Sequence, residues 1–301
     1  MGKKLLIIGY GSAGRRYAQL AKKIHKNLKI TILTKQHVIQ FKKISSLNQI
    51  NKLDPDYIII SSPTSYHLKH LMYLNKIFKN KKILIEKPLF HKFQKIVNKN
   101  KVFVGYNLRN LKIIQFFKSM IRKNKKNIND VSFINHSYLP NWRKNIDYSE
   151  SSSAKKKYGG GVILDCSHEL DLASWIFGNI NIIFVEKSKK SNLKIETEDN
   201  CKIYGKKKGI SFTFDFNYYS PQKKRQINIL GDNLKININL ISNKFLFIKN
   251  KKKTFKKFNK NDMKKSYELI IQDLFSKKNK YLVSYNSALK TQKLIQSIRN
   301  F

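Results

Sequence analysis

Cysteine is scarce: Cys166 and Cys201 are the only two, and they lie far apart in the chain. Neither a disulfide framework nor a zinc-ligand spacing can be built from them, which fits a reducing, cytoplasmic setting. No apolar run approaches the about 20 residues that cross a bilayer, so no membrane-spanning helix is expected. The first apolar run, Leu5-Leu6-Ile7-Ile8, is too short for a signal-peptide core and closes on Gly9, so it reads as a strand rather than a targeting segment. There is no internal repeat. Acidic residues number 18 against 62 lysines and arginines, a net charge of +44. Arginine is itself rare, with seven residues (15, 16, 109, 122, 143, 225 and 299). Bidentate phosphate contacts and base-edge readout favour arginine, and no nucleic-acid motif is present, so a specific nucleic-acid partner is not expected. The lysines are spread along the chain beside many Asn and Ile, residue types that share AT-rich codons. Genome composition therefore accounts for the charge, which should still attract anionic substrates and phosphate-bearing cofactors in a salt-sensitive way.

What is present is ample material for a core: 301 residues, 41% hydrophobic and 12% aromatic. Up to about residue 105, strand-like and helix-like runs alternate. Leu5–Ile8, Lys29–Leu33, Tyr57–Ile60, Lys82–Ile85 and Val102–Val104 read as strands. Ala13, Tyr17, Leu20, Ala21 and Ile24 mark one helical stripe, and Leu68, Leu71, Met72 and Ile77 another. Alternation of this kind predicts a parallel sheet covered on both faces. Beyond that point strands follow one another: Val131–Leu139, Ile180–Val185, Leu193–Tyr204, Ile210–Tyr219, Gln226–Leu230, Leu234–Leu240 and Phe245–Ile248. Gly231-Asp232-Asn233 is a turn between two of them. One helix is expected over 162–177, and two more close the chain near Met263–Phe275 and Asn286–Ile298. The fold class is α/β: an N-terminal Rossmann domain (1–105), a C-terminal α+β domain on an open, mostly antiparallel sheet (106–284), and a last helix (285–301) expected to pack back on the first domain.

Gly9-Tyr10-Gly11-Ser12-Ala13-Gly14 matches G-x-G-x-x-G directly after a strand and at the start of an amphipathic helix. The first glycine permits the tight turn, the second lets backbone approach a pyrophosphate, and the third lets helix pack on strand. The helix N-terminus then offers free N–H groups to the phosphates. A carboxylate usually ends the next strand and binds the ribose 2′-hydroxyl. Here Thr34 and Lys35 stand in that place. Nothing repels a 2′-phosphate, so the cofactor expectation is NAD(P) with a lean to NADP, unless Lys35 contacts nothing.

Ser62, Pro63, Thr64 and His67 follow the strand Tyr57–Ile60, where ligands of open parallel sheets sit. Thr64 and Ser65 also suit a helix N-cap. His67 and His70 lack a neighbouring carboxylate, and no metal is expected. Glu86-Lys87-Pro88 ends the strand Lys82–Ile85. Lys87 either bonds the substrate oxygen whose proton moves as hydride leaves, or forms a plain Glu–Lys pair in a solvated loop.

The densest chemistry is Gly159-Gly160-Gly161 followed by Asp165, His168, Glu169 and Asp171. On one helix Asp165 and His168 would share a face. His168 is then an acid–base group or substrate holder oriented by Asp165, or else a core histidine ahead of Leu172 and Trp175. Trp142 and Arg143 lie in the polar loop before the glycines; either an aromatic plane beside an arginine serves a sugar with an anionic group, or this is an ordinary surface loop held by one buried tryptophan.

Together these segments, with Gly105-Tyr106-Asn107-Leu108-Arg109, resemble the glucose–fructose oxidoreductase and inositol dehydrogenase family (Gfo/Idh/MocA) over nearly the whole chain. The resemblance implies reversible oxidation of a hydroxyl on a sugar, cyclitol or nucleotide-sugar. It implies Lys87, His168 and Asp165 as catalytic residues. It implies cofactor contacts from Gly9, Tyr10, Gly11, Ser12, Ala13, Gly14, Thr34, Lys35, Ser62, Pro63, Thr64, His67, Glu86 and Lys87, and substrate contacts from Asn107, Arg109, Trp142, Asp165 and His168. Commoner members space the aspartate and histidine one residue wider. They also carry a longer helix where this chain has the short stretch from Pro88 to Val102, so the sheet edge is expected to be less covered. The segment 138–142 joined to 165–171 looks like the branch that serves surface-polysaccharide and nonulosonate sugars. Family members often form homo-oligomers through the open sheet, and a face carrying Phe212, Phe214 and Phe216 would want such cover. The other reading is a catalytically silent dinucleotide-binding sensor or assembly protein, which would be expected to lose Lys87 and His168.

Overall fold

The computed structural model describes residues 2–143 and 146–301. In chain order the elements are β1 (Lys4–Ile8), α1 (Ser12–Ile24), β2 (Lys29–Leu33), β3 (Lys42–Ile44), β4 (Tyr57–Ile60), α2 (His67–Ile77), β5 (Lys82–Ile85) and β6 (Lys101–Val104). There follow α3 (Lys112–Asn124), β7 (Ile128–Tyr138), α4 (Val162–Asp165), α5 (Ser167–Phe177), β8 (Asn181–Ser188), β9 (Asn200–Lys207), β10 (Ile210–Asn217), β11 (Tyr219–Gly231), β12 (Leu234–Asn239), β13 (Lys244–Lys249) and β14 (Lys252–Lys257). The chain closes with α6 (Asp262–Phe275), β15 (Val283–Ser284) and α7 (Tyr285–Asn300). It divides into two compact units, residues 1–107 with 265–292, and residues 108–264 with 293–301.

The first unit is built on a sheet of order β15-β6-β5-β4-β1-β2-β3. Its strands run parallel except β15, which pairs antiparallel with β6. The near-continuous apolar strands are buried on both faces, as a covered parallel sheet requires. Leu6, Ile8, Ile58, Ile60, Ile83 and Ile85 face one core, and Leu5, Ile7, Ile59 and Leu84 the other. The strand order reverses between β1 and β4, the switch point where such sheets open a ligand crevice beyond their carboxyl ends. Backbone bonds continue past the strands there: Gly9 N–H to Leu33 O (2.9 Å), Ser61 N–H to Ile8 O (2.8 Å), Glu86 N–H to Ile60 O (2.8 Å) and Gly105 N–H to Ile85 O (2.8 Å). The glycine loop, the serine–proline loop and the Glu-Lys-Pro segment thus leave neighbouring strands at one edge.

Two expectations change in this unit. Residues 265–284, placed in the second domain from sequence, belong here: Ile270, Ile271 and Leu274 of α6 complete the core behind α1, and β15 extends the sheet. The stretch after Pro88 forms no helix, yet the sheet is covered. Leu89 and Phe90 are fully buried. The start of α7 takes the missing helix's place, with Tyr285 Oη accepting the Ile96 N–H (3.0 Å) and Gln292 Oε1 accepting the Phe90 N–H (3.3 Å).

The second unit is an eight-stranded sheet of order β14-β13-β12-β11-β7-β10-β9-β8, antiparallel except for the parallel pair β7–β10. Alternation decides its faces. Phe212, Phe214 and Phe216 are buried at 1%, 1% and 0% exposure, in a core shared with Ile113, Phe117, Leu170 and Phe177. They therefore do not form an exposed face that needs a partner, because α4 and α5 of the same unit pack against their strand. Their neighbours Ser211, Thr213 and Asp215 point the other way. A cross-strand row there reads Phe184, Tyr204, Thr213, Ser132, Asn228, Asn237, Leu246 and Phe255, polar at its centre.

Candidate active site

In the first unit the glycine loop has the shape its spacing demands. Gly9 takes φ +97°, open to glycine and strained for other residues, and a Cβ on it would stand 2.5 Å from the Ser62 nitrogen. A Cβ on Gly14 would stand 2.2 Å from the Gly9 carbonyl oxygen, so helix α1 seats against the loop only with glycine there. Gly11 is different: nothing lies within 4 Å of where its Cβ would be. The α1 N-terminus also has no side-chain cap and no acidic residue in its first turn. Open space, uncapped N–H groups and the positive end of the helix dipole are what a pyrophosphate requires, and the residues fit a dinucleotide.

At the end of β2 the Thr34 hydroxyl oxygen accepts the Gln36 N–H (3.1 Å), and Lys35 is exposed. Arg15, from the first turn of α1, lies over the Tyr10 ring (5.5 Å) and donates to Gln36 Oε1 (3.0 Å). The sequence reading passed over this guanidinium, although its place one residue after the last loop glycine was a signal.

The Glu86-Lys87 segment is fixed by its acid. Tyr17 Oη donates to Glu86 Oε1 (2.6 Å), and the Lys87 backbone N–H donates to Glu86 Oε2 (2.9 Å). Burial, with the Glu86 charge second, pushes the Tyr17 hydroxyl well above its usual range, so it stays a donor. Lys87 is half-buried and precedes a cis proline. Ser62 and Thr64 are half-buried at the end of β4, and the Ser61 hydroxyl bonds the Gly9 carbonyl (2.9 Å).

His67 is a correction. It is 1% exposed, with Nδ1 at 3.0 Å from Pro88 O and 3.2 Å from Leu89 O, and Nε2 at 2.9 Å from Ser62 O. Its ring ties the two strand-end loops together and is not open to a ligand. Burial depresses its basicity. One turn on, His70 bonds the Ser62 hydroxyl (3.0 Å), and burial holds its pKa down to about 4. Asn107 is a second correction: it is 1% exposed and donates to Ser266 Oγ (2.8 Å), a bond from the end of β6 to α6 inside the first unit.

In the second unit the glycines make room for the protein's own groups. A Cβ on Gly160 would meet Ser153 O at 2.3 Å, and one on Gly161, at φ +112°, the Glu198 carboxylate at 2.3 Å. The expected single helix is two, with the break at Cys166. Asp165 therefore ends α4 while His168 lies in the first turn of α5, and they do not share one helix face. Asp165 Oδ2 accepts from Tyr218 Oη (2.5 Å), a fully buried hydroxyl that burial and Asp165 keep protonated. Trp142 stands edge-on to Tyr218 (5.3 Å), donates Nε1–H to Ser137 Oγ (3.0 Å) and leaves 42% of its surface exposed. His168 is buried at 8% exposure.

Arg109 is the third correction. It is 6% exposed and forms a two-pronged ion pair with Asp171, Nε to Oδ2 at 2.8 Å and Nη2 to Oδ1 at 2.7 Å, beneath the Trp175 ring. It braces α5 instead of facing a substrate. Arg225 Nε also donates to buried Glu169 Oε1 (2.7 Å), a single-pronged pair. Among the described residues no cluster of three or more His, Cys, Asp or Glu side chains forms a metal site.

Comparison with known proteins places this geometry. Residues 3–104 match the oxidoreductase family with an NAD-binding Rossmann fold, and residues 116–237 match the GFO/IDH/MocA C-terminal domain. A search of curated protein sequences gave no significant match. The fold is that of the WlbA dehydrogenase from Bordetella pertussis, solved with NADH and UDP-GlcNAcA, at TM-score 0.79 and 15% identity, covering 100% of this chain and 96% of that one. It is also that of an oxidoreductase from Agrobacterium radiobacter solved with NAD+, L-tartaric acid and magnesium, at TM-score 0.77 and 16% identity over 100% and 96% of the two chains. UDP-N-acetylglucosamine 3-dehydrogenase GnnA from Acidithiobacillus ferrooxidans superposes with TM-score 0.74 at 14% identity over 100% and 97%. Two family matches in chain order, together spanning well over half of the sequence, on a fold with the loop geometry described above, show that the chain belongs to the GFO/IDH/MocA family of oxidoreductases.

Proposed function

We propose that the protein is an NAD(P)-dependent oxidoreductase acting on a hydroxyl or ketone of a sugar, cyclitol or nucleotide-sugar, in the making of a surface polysaccharide or a nonulosonate. The observation that carries this reading is the Glu86 carboxylate, bonded at both oxygens, which fixes the backbone of Lys87 at the end of β5, with only β4 between it and the strand that leads into an open dinucleotide loop. The nucleotide-sugar class is supported by the names of two proteins of the same fold, one solved with UDP-GlcNAcA and one a UDP-GlcNAc 3-dehydrogenase. The dinucleotide, when bound, supplies the hydride acceptor or donor. Lys87 Nζ takes the hydroxyl proton as the carbon loses its hydride, and returns it to the carbonyl oxygen in the reverse direction. His168 and Asp165 hold substrate hydroxyls, Asp165 being oriented by Tyr218, and the exposed face of Trp142 stacks on a sugar or base ring.

The cofactor reading leans to NADP. A guanidinium at position 15, held by Gln36, and the absence of a carboxylate on residues 34–36 favour a 2′-phosphate. Thermal unfolding with each dinucleotide tests the reading, since a ligand of the native state raises the midpoint. A rise is expected with both, larger with NADP, and Arg15→Ala should remove the difference. No rise with either at millimolar concentration rejects the dehydrogenase. A screen of sugars and nucleotide-sugars for cofactor reduction identifies the substrate. Lys87→Ala should then abolish turnover and spare cofactor binding; full activity in that variant removes Lys87 from the mechanism. The same screen tests the silent-binder reading, which predicts a thermal rise without reduction of either cofactor.

A further inference from the structure

We propose that Tyr17, on the buried face of the helix behind the glycine loop, is a positioning residue for Lys87 and acts through Glu86. The inference rests on the catalytic reading of Lys87 given above.

The buried stripe of α1 is otherwise made of small residues, Gly14, Ala18 and Ala21. A phenylalanine at position 17 would fill the same space without bringing a hydroxyl into a site of 0% exposure. A buried hydroxyl with no partner is destabilising, so its presence is explained only by what it bonds. Its partner is Glu86 Oε1, at 2.6 Å. A second sequence choice serves the same bond. Gly105, at the end of β6, would with a Cβ stand 2.9 Å from the Tyr17 hydroxyl oxygen and crowd it. The Tyr267 ring meets the Tyr17 ring edge-on at 6.3 Å, in the cluster that packs α6 against α1.

The other carboxylate oxygen accepts the N–H of Lys87. The acid is thus held at one end by α1 and holds, at the other, the backbone from which the lysine stem departs. A lysine stem has four rotatable carbon–carbon bonds, so the aim of its amine depends on how firmly that backbone is set. Loss of the Tyr17 hydroxyl frees the carboxylate to rotate, and Lys87 loses its fixed base. An amine displaced by about 1 Å from its proton-transfer geometry costs up to about a hundredfold in rate while the dinucleotide's phosphate contacts stay as they were. The signature is therefore a fall in kcat with cofactor affinity preserved.

The test uses the full chain, cofactor binding read by energy transfer from protein to nicotinamide, and turnover of the sugar found in the screen. Tyr17→Phe is expected to lower kcat about tenfold while the cofactor Kd and the sugar KM stay within about twofold. Glu86→Ala should lower kcat as well, and adding Tyr17→Phe to it should change kcat no further. Unchanged kcat in Tyr17→Phe overturns the proposal. So does an equal loss on both backgrounds, which would make Tyr17 a packing residue independent of Glu86. Should Tyr17→Phe fail to fold, Gly105→Ala crowds the same hydroxyl with residue 17 intact. It is expected to lower kcat with cofactor Kd preserved, and normal turnover there also overturns the proposal. A wild-type chain that binds no dinucleotide and oxidises no sugar overturns the catalytic reading itself, a result distinct from a fully active Tyr17→Phe.

Discussion

Arg109 and Asp171 show how a residue with a functional look can be needed elsewhere. Both lie in segments that resemble a sugar-binding motif, 62 positions apart in sequence, and no local pattern announces that they pair. Once both are buried, each makes the other tolerable: an ion pair out of water is stable only while complete. Asp171→Ala should leave the guanidinium buried and uncompensated, at a cost of about 3–5 kcal/mol read as a lower urea midpoint. A cost below about 1 kcal/mol would mean that the pair is hydrated and weak. His70 offers a prediction in pH. Its folded pKa is about 4, against an ordinary 6.5, because burial opposes the charged form, with His67 and Lys69 adding to it. The unfolded chain takes up this proton as pH falls through 6.5, and the folded chain does so only near 4. The stabilisation is therefore complete above pH 6.5 and is lost on acidification toward 4. Between pH 7.5 and 4.5 the wild type should lose about 2–3 kcal/mol more stability than His70→Gln, which keeps a polar partner for Ser62. Equal losses in the two proteins would mean that His70 is already charged in the fold.

At the scale of elements, what was legible was what local pattern dictates. Strands β1, β2, β4, β5 and β6 announce themselves as short apolar runs, and the glycine loop by its context. Helix α3 had a signal that was passed over, since Ile113, Ile114, Phe117 and Ile121 recur at helical spacing. Strand β14, Lys252–Lys257, had none: every residue is exposed, so no alternation marks it, and only pairing with β13 makes it a strand. The run Leu193–Tyr204 reads as one strand but becomes one only from Asn200. Asp199 turns its carboxylate back onto the Lys190 and Ser191 N–H groups and holds the preceding residues as a loop. The start of α4 is likewise tertiary: Glu198, 35 residues downstream of Ile163, accepts that residue's N–H there. The glycine loop permits a test that separates ligand from fold. Gly11→Ala meets no atom and should leave the unliganded midpoint unchanged while removing the rise with dinucleotide. Gly14→Ala collides with Gly9 O and should lower the midpoint before any ligand is added. Equal effects of the two substitutions would reject the assignment of Gly11 as the face that meets phosphate.

At the scale of the molecule, 62 cationic side chains against 18 anionic ones make self-repulsion a property of the whole chain. The described ion pairs whose carboxylates are open to solvent, Lys81–Asp54 and Lys155–Glu150 among them, contribute little each, while Arg109–Asp171 is shielded from solvent. Salt therefore acts mainly on the repulsion. The screening length falls from about 30 Å at 0.01 M to about 10 Å at 0.1 M, shorter than most distances between lysines on opposite sides of a unit. Raising NaCl from about 0.02 to 0.3 M should raise the unfolding midpoint of the unliganded protein, whereas a fold held by surface ion pairs would lose stability. The same field draws in an anionic dinucleotide, so its Kd should weaken over the same range. The two effects have opposite signs: the unliganded midpoint climbs with salt while the extra rise given by a fixed dinucleotide concentration shrinks. A midpoint that falls with salt would show that the cations are locally neutralised and carry no net repulsion. A salt-independent Kd would show that the phosphates are held by the glycine-loop backbone alone, with the lysines no more than a mark of composition.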